Sequence, residues 1–399
     1  MQYRKVFLKP KKEESLERFH PWIFSGAIAK IEGTPQEGEV VEVYTSTNQF
    51  IAIGHYQIGS ITIRVLSFTP TEIDSEFWKN RIQQAYNMRE AIGLAHTTNN
   101  NSFRLIHGEG DQLPGLIIDV YNHTAVIQAH SIGMHVSRQI IAKATLEVMN
   151  PFVKHIYYKS ETTLPNKTDL SETTGFLTES TTDFVAIENG LKFNVDYLKG
   201  QKTGFFIDQR ENRALLERYA KNRNVLNMFC YTGGFSFYAM RGGANLVHSL
   251  DSSAKAIELT NQNINLNFPN DNRHESFAED GFKFLDNIPQ DKYDLIVLDP
   301  PAFAKHKRSL RNALQGYRRL NAKAIEKMKP GGILFTFSCS QVVSKNDFRT
   351  TLFSAAAMAK REVRILHQLN QAPDHPINIF HPEGEYLKGL VLYIEQTNC

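Results

Sequence analysis

Four short apolar runs, separated by segments with helical spacing, constrain the fold of the second half of this chain. They span residues 225–229, 246–250, 295–298 and 333–337. Short continuous apolar runs are typical of strands that are buried on both faces of a parallel sheet. Because such runs alternate with helical patterns from Leu191 onward, the sequence predicts an α/β fold with a doubly wound, mostly parallel sheet.

The N-terminal part of the chain has a different pattern. Strand-like runs occur at 39–44, 50–54 and 60–66, and the last of them alternates apolar with polar residues. Alternation with period two indicates strands with one buried face, so we expect a small β-rich domain there. A helix is predicted to follow Asp74, whose carboxylate suits a helix N-cap. We therefore expect three domains, at residues 1–72, 73–190 and 191–399, of which the middle one mixes strand-like and helical patterns.

Length, charge and cysteine content limit the function classes. A chain of 399 residues exceeds what one hydrophobic core usually organises. Its 45 Lys and Arg residues nearly balance its 42 Asp and Glu residues, so a nucleic-acid surface has to come from local clustering. No stretch approaches the apolar length of a membrane span, and three cysteines are too few for a disulfide framework. We expect a cytoplasmic protein without membrane contact. The oligomeric state is left open, with a homodimer as one option.

The segment 225–236 combines a strand, a loop with Gly233 and Gly234, and a helix start. Ligands bind at the carboxyl ends of strands in such sheets, where glycines let the backbone approach closely. The loop lacks the glycine spacing of dinucleotide sites and of P-loops, so a nucleoside without phosphates fits better. Asp251 follows the next strand and could accept hydrogen bonds from both ribose hydroxyls, and Asp280 follows a third strand at a position suited to an adenine edge. The alternative is an ordinary turn and a helix cap.

Asp299 and Cys339 follow two further apolar runs. Pro300 and Pro301 come directly after Asp299, and two prolines after a buried strand fix the backbone and prevent further pairing. This predicts a site for a planar base, with Cys339 beside Asp299 on the neighbouring strand. A thiolate that adds to C6 of cytosine makes C5 nucleophilic, and an acid at N3 favours the addition. The alternative for Cys339 is a small buried apolar residue.

Several motifs together resemble one known family. Four of these motifs occupy residues 20–26, 104–115, 200–213 and 227–234. The other two are Asp299-Pro-Pro-Ala-Phe303 and Ser338-Cys-Ser340. The chain is similar to the bacterial large-subunit ribosomal RNA cytosine-C5 methyltransferases with an N-terminal PUA domain.

The resemblance implies an RNA-binding PUA β-barrel, an α+β middle domain and a Rossmann-like class I methyltransferase domain. It also implies S-adenosylmethionine as donor and 5-methylcytosine in 23S ribosomal RNA as product. The implied cofactor residues are Lys202, Thr203, Asn227, Tyr231, Gly233, Asp251 and Asp280. The chain departs from the two-cysteine enzymes of this type because no cysteine flanks Asp299, so the base that removes the C5 proton is not identified.

Alternative functions and weaker signals complete the sequence analysis. A related branch with a similar Asp-Pro-Pro-x-Phe segment methylates guanine N7, which needs no covalent catalyst. Methylation of an exocyclic amine and a catalytically silent RNA-binding protein are further alternatives. Phe303 could stack on an extruded base or pack beneath its loop, and the basic segment 305–319 could meet phosphates or only solvent. His367, His375 and His381 lack a convincing ligand set among their sequence neighbours, so we expect no metal.

Overall fold

The computed structural model describes residues 3–95, 97–165 and 171–395, which form two compact units. The first unit comprises residues 1–190, 195–207 and 373–384, and the second comprises 191–194, 208–372 and 385–399. Each unit is described by itself. The division into three domains stays a prediction. No helix among the described residues is long and apolar enough to cross a membrane.

The N-terminal part of the first unit is a six-stranded sheet. Its strands are β1 (Arg4–Leu8), β2 (Trp22–Phe24), β3 (Ile28–Ile31), β4 (Val40–Tyr44), β5 (Phe50–Tyr56) and β6 (Ile61–Ser67), with a short helix α1 (Glu14–Glu17). Their order is β2-β6-β5-β4-β1-β3, and only the β1–β4 pair is parallel. Alternate side chains enter a core that includes Val6, Val41 and Ile63, as the period-two pattern predicted.

The rest of the first unit is an α+β layer. Helix α2 (Ser75–Ala91) begins where it was predicted, because the Asp74 carboxylate accepts a hydrogen bond from the Phe77 amide at 2.9 Å. A five-stranded sheet packs against the helices. Its elements are β7 (Ser102–His107), β8 (Leu116–Tyr121), β9 (Thr124–Ala129), α3 (Ile132–Val136), α4 (Arg138–Met149), β10 (His155–Lys159) and β11 (Thr174–Phe176), and the strand order is β11-β10-β9-β8-β7. Strand β12 (Val185–Glu188) follows.

The second unit is built on a seven-stranded sheet. After β13 (Leu191–Asn194), its elements are α5 (Arg210–Ala220), β14 (Asn224–Met228), α6 (Gly234–Arg241), β15 (Leu246–Asp251), α7 (Ala254–Asn267), β16 (His274–Ala278), α8 (Gly281–Asn287), β17 (Leu295–Leu298), α9 (Leu310–Lys327), β18 (Gly332–Ser338), α10 (Lys345–Ala359), β19 (Val363–Leu369) and β20 (Lys388–Ile394). The order is β16-β15-β14-β17-β18-β20-β19, in which only β20 runs antiparallel to its neighbours.

Helices cover both faces of this sheet. Ile296 and Leu298 of β17 join the core made with α8, α9 and α10, while Phe335 of β18 meets Tyr219 of α5 on the other face. The four apolar runs therefore became central parallel strands, and the predicted α/β fold is confirmed. The carboxyl ends of β14 to β18 lie along one edge, which positions the site.

Candidate functional site

The loop after β14 turns sharply and begins α6. Phe229 and Tyr231 have positive φ angles of 58° and 48°, and Gly233, the N-cap of α6, has φ 83°. A Cβ atom at Gly233 would lie 2.7 Å from Thr260 Cγ2 and 2.8 Å from Phe237 Cζ, so only glycine fits there without a shift. The chain thereby reverses within a few residues at the sheet edge.

Asn227 lies directly beneath this loop. It is only 1% exposed, and its Nδ2 donates to Ser236 Oγ at 2.9 Å. Its Oδ1 has no hydrogen-bond partner among the described residues. A buried oxygen without a donor is unfavourable by about 1–3 kcal/mol, so this atom is suited to a ligand that brings one.

Asp251 and Asp280 follow the next two strands. Asp251 Oδ2 accepts from the Tyr231 amide at 3.0 Å and Oδ1 from the Ser253 amide at 2.9 Å, so this half-buried carboxylate holds the loop after β14. Asp280 is exposed and caps α8 through the Lys283 amide at 3.0 Å. Since each carboxylate oxygen can accept more than one hydrogen bond, both groups can still meet a ligand. Their roles towards ribose and adenine stay predictions.

Lys202 and Thr203 belong to the first unit. Thr203 is buried, and its hydroxyl donates to Asp119 Oδ2 at 2.6 Å and lies 2.9 Å from Tyr121 Oη. Lys202 is exposed and has a positive φ of 52°. The proposal that both contact the cofactor stays a prediction.

Asp299 ends β17 with its carboxyl group half-buried. Its Oδ2 accepts a hydrogen bond from Gln209 Nε2 at 3.0 Å. Burial, followed by the nearby Asp208 carboxylate, raises the pKa of Asp299 to about 7. The group therefore carries a proton part of the time at neutral pH and can donate it.

Cys339 follows β18, the strand beside β17, and its side chain is partly exposed. Burial, followed by the carboxylates of Asp299 and Asp208, raises the pKa of this thiol to about 12. Asp299 therefore acts on the Cys339 thiol electrostatically, and the two residues follow neighbouring parallel strands. Their meeting at one substrate base stays a prediction.

Two more charged groups of the second unit complete this environment, and sequence reasoning missed both. Asp208 and Glu211 have the spacing of a capping box, which predicts a helix start at this point. Helix α5 instead has Gln209 as its N-cap and no side-chain cap. The Asp208 carboxylate instead accepts from Tyr386 Oη at 2.7 Å. Lys388 lies opposite Ser338 in the sheet, is 5% exposed and donates to the Ser340 carbonyl at 2.6 Å.

Lys388 and Cys339 act on each other electrostatically. Burial lowers the pKa of Lys388 to about 8, and the Cys339 thiolate opposes that shift. Asp208 lies within the motif at 200–213, whereas Lys388 lies in none of the motifs. Nothing in the sequence spacing relates either residue to Cys339 before the sheet order is known.

The segment after Asp299 places its residues differently. Pro300 is buried, Pro301 is exposed, and Phe303 packs on Tyr317 with ring centroids 4.5 Å apart. Packing beneath the loop is thus the arrangement seen for Phe303. Cys230 is buried in the loop after β14, where burial raises the pKa of its thiol, whereas Cys399 lies outside the described residues.

A basic surface follows the same segment. Five cationic side chains between β17 and the middle of α9 are exposed, and none of them forms an ion pair with another described residue. They are Lys305, Lys307, Arg308, Arg311 and Arg319. Unpaired exposed cations of this density suit contact with a phosphate backbone.

Two of the three histidines that were interpreted as structural have protein partners. His367 Nε2 lies 2.8 Å from Tyr219 Oη, and His375 Nδ1 lies 3.0 Å from Asp374 Oδ1. The third, His381, has a possible ligand atom within 4.8 Å of those of His20 and Glu383. The expectation that no metal binds stays a prediction.

Comparisons with known proteins agree with this geometry. A family model of S-adenosylmethionine-dependent methyltransferases matches residues 170–384, and one of PUA-like domains matches residues 6–68. Two curated relatives are named ribosomal RNA large subunit methyltransferase I. The one from Tolumonas auensis is 43% identical over 394 residues, and the one from Pseudoalteromonas atlantica is 42% identical over 393; both alignments cover 97% of this chain and 98% of the relative.

Solved structures show the same architecture. A protein from Streptococcus mutans described as a methyltransferase that depends on S-adenosylmethionine has a TM-score of 0.82 at 21% identity. A methyltransferase complexed with S-adenosylhomocysteine has a TM-score of 0.84 at 22% identity. Each alignment covers 98% of this chain and 100% of the other, so the fold extends over both units.

Proposed function

The chain belongs to the ribosomal RNA large subunit methyltransferase I family of S-adenosylmethionine-dependent enzymes, and from that premise we propose that it methylates C5 of a cytosine in 23S ribosomal RNA. The observation that carries this proposal is the shared environment of the Cys339 thiol and the Asp299 carboxyl group at the ends of neighbouring strands. Attack on C5 is the methylation that requires both a sulfur nucleophile and an acid.

The residues at the ends of β14, β15 and β16 fit the methyl donor. S-adenosylmethionine supplies, when bound, a methyl group on a sulfonium that a carbon nucleophile can attack. Asn227 Oδ1 is the buried acceptor that lacks a donor, and the Asp251 and Asp280 carboxylates follow on the same edge. We assign these groups, with Tyr231 and Gly233, to binding and orienting the donor beside Cys339.

Asp299 and Cys339 have complementary roles. Protonated Asp299 donates to N3 of the cytosine while Cys339 Sγ forms a bond with C6. The thiol proton passes to the carboxylate that Asp299 leaves behind, so the number of protons in the site is unchanged. The C5 of the resulting enamine takes the methyl group and then loses its proton to solvent. As the S–C6 bond breaks, the Asp299 carboxyl group returns a proton to sulfur and takes back the proton from N3, which releases the product.

The thiol needs help to ionise. A group with a pKa of about 12 is almost entirely protonated at neutral pH, and the carboxylates of Asp299 and Asp208 are the main opposing charges after burial. Protonation of Asp299 removes one of those charges, and the Lys388 ammonium favours the thiolate. The site therefore makes ionisation of Cys339 depend on the proton at Asp299.

Contact with RNA is assigned to the basic segment after β17 and to the PUA-like part of the first unit. Reaction at C5 requires the cytosine to leave its stack, since both faces of a stacked base are covered. The exposed cations near Lys305 can hold the phosphates of that nucleotide.

The proposal is tested on 23S ribosomal RNA incubated with the protein and labelled S-adenosylmethionine. Nucleoside mass analysis is expected to find 5-methylcytidine. In a second reaction the transcript carries 5-fluorocytidine, whose C5 substituent cannot leave as a proton, so the wild-type protein should remain bonded to RNA and Cys339→Ala should not. A product of N7-methylguanosine, or an adduct that survives in Cys339→Ala, contradicts the proposal.

A guanine-N7 methyltransferase is the second candidate, and the protonated resting state of Cys339 favours it, because attack by N7 needs no thiolate. The same product analysis separates the two. A protein that binds RNA without catalysis would fail to bind S-adenosylhomocysteine in calorimetry while retaining its affinity for RNA.

A further inference from the structure

Three side chains of types that bind metal ions lie close together in the first unit, whereas Asp299 and Cys339 belong to the second. His20 precedes β2, and His381 and Glu383 belong to the segment 373–384 of the same unit. One donor atom of each of these residues lies within 4.8 Å of those of the other two. His20 begins the motif at 20–26, for which the methylation chemistry gives no role.

The His381 imidazole is the second, independent sign of a ligand. The residue is 3% exposed, yet neither ring nitrogen has a hydrogen-bond partner among the described residues. Its ring packs against Trp22 at a centroid distance of 4.3 Å, and its Nε2 lies 3.8 Å from Glu383 Oε2. A neutral imidazole has a lone pair on one ring nitrogen, which can bind a cation.

The His20 imidazole is oriented by the backbone. Its Nδ1 accepts a hydrogen bond from the Trp22 amide at 3.2 Å in one tautomer and donates to the Trp22 carbonyl oxygen at 3.3 Å in the other. If Nδ1 carries the proton, it donates to the carbonyl and leaves Nε2 as a metal ligand. A hydrogen bond from the other ring nitrogen to a carbonyl is the usual support of a metal-binding histidine.

We propose that His20, His381 and Glu383 form a Zn²⁺ site that fastens the segment 373–384 to the start of β2. Two imidazoles and one carboxylate are a known zinc ligand set, with a fourth position for water. Bonds of about 2.0–2.1 Å in a tetrahedral site separate two ligand atoms by about 3.4 Å, close to the 3.8 Å between His381 Nε2 and Glu383 Oε2. Glu383 is exposed and can move by the remaining distance.

Carboxylates near the site favour a cation further. Glu109 Oε1 accepts from Trp22 Nε1 at 2.9 Å, and its charge acts on His381 together with that of Glu383. The negative charge of these two carboxylates attracts a divalent ion to the site.

The experiment uses the full-length protein, freed of metal with a chelator and titrated with Zn²⁺ in calorimetry and in competition with a chromophoric chelator. We expect one equivalent to bind and the melting temperature to rise with it. His20→Ala and His381→Ala should each weaken binding by at least about a hundredfold. His155→Ala, which removes a half-buried histidine of β10 in the same unit, serves as the control and should bind as the wild type does.

Co²⁺ gives a readout that is independent of folding stability. In the wild type it should quench the fluorescence of Trp22 and show the strong visible absorption of a four-coordinate ion, and both signals should be lost in Glu383→Gln and His381→Ala. Absence of stoichiometric Zn²⁺ binding to the wild type, or equal affinity in the wild type and both histidine variants, would overturn the proposal.

Discussion

The candidate site lies at the carboxyl ends of the strands of the seven-stranded sheet, and its two halves are built in different ways. At the ends of β14 and β15 the backbone determines the shape of the site, since Gly233 permits the turn and Asp251 accepts hydrogen bonds from loop amides. At the ends of β17 and β18 the charges of ionisable side chains matter most: Asp208 raises the pKa of Asp299, and Asp299 raises the pKa of Cys339.

Because of this difference, substitutions in the two halves should have different effects. A substitution on the first half should act through loop shape, and hence on donor affinity and stability, with little pH dependence. A substitution on the second half should act on the rate of the chemical step and on its pH dependence, while leaving donor affinity nearly unchanged.

Removal of the sulfur gives the largest expected effect. Cys339→Ala should slow single-turnover methyl transfer by at least about a thousandfold, because C5 has no other route to sufficient nucleophilicity. Calorimetry should find its affinity for S-adenosylhomocysteine within about twofold of the wild type. If the rate stays near the wild-type value, the chemistry does not pass through this sulfur and the comparison between the two halves loses its basis.

The pH profile is the next largest effect. Asp299 must carry a proton to donate it, and its pKa is about 7, so kcat/KM should fall towards tenfold per unit as pH rises above 7. In Asp299→Asn the rate should be about a hundredfold lower at pH 7, and the decline above that pH should vanish. A wild-type rate that climbs through pH 7 would instead require the ionised carboxylate.

Gly233→Ala tests the half that is formed by the backbone. A Cβ atom there meets Thr260 and Phe237 at less than 3 Å and the residue has a positive φ, so unfolding free energy should fall by about 2–4 kcal/mol. Donor affinity should fall with it, while the pH profile keeps its shape. Gly26→Ala, where a Cβ atom meets nothing within 4 Å, is the matched control. Equal melting temperatures for the two variants would contradict the strain argument.

The sequence could predict the first half better than the second for a physical reason. Apolar runs, glycines and the carboxylates after strands are local signals, so the strands that carry Asn227, Asp251, Asp299 and Cys339 were all found before the fold was known. The order of strands then decides which distant residues share an environment, and no local pattern reports that order.

Asp208 shows how a local signal can be misleading. Its spacing to Glu211 matches a capping box, but the carboxylate hydrogen-bonds to Tyr386 and acts on Asp299, because Tyr386 directly precedes β20, which is inserted between β18 and β19. The same limit applies to His20 and His381, whose neighbours along the chain gave no indication of each other.

The smallest expected effect is on stability, and it has the opposite sign to the effect on rate. The folded-state pKa of Asp299 is about 7 and its ordinary value is 3.8, so the folded state binds the proton more tightly than the unfolded state does. Ionised Asp299 therefore destabilises the fold; the penalty is absent below pH 3.8, grows as pH rises and is complete above pH 7.

Asp299→Asn cannot ionise and keeps an acceptor for Gln209. This variant should raise the unfolding free energy at pH 8 by about 1–2 kcal/mol, after allowance for partial exposure, and should leave it nearly unchanged at pH 4. Denaturant unfolding of both proteins at the two pH values measures this. A variant that is less stable than the wild type at pH 8 would show that the Asp299 carboxylate stabilises the fold. In that case the ends of β17 and β18 would not be destabilised for the sake of catalysis, and the contrast with the ends of β14 and β15 would fail at Asp299.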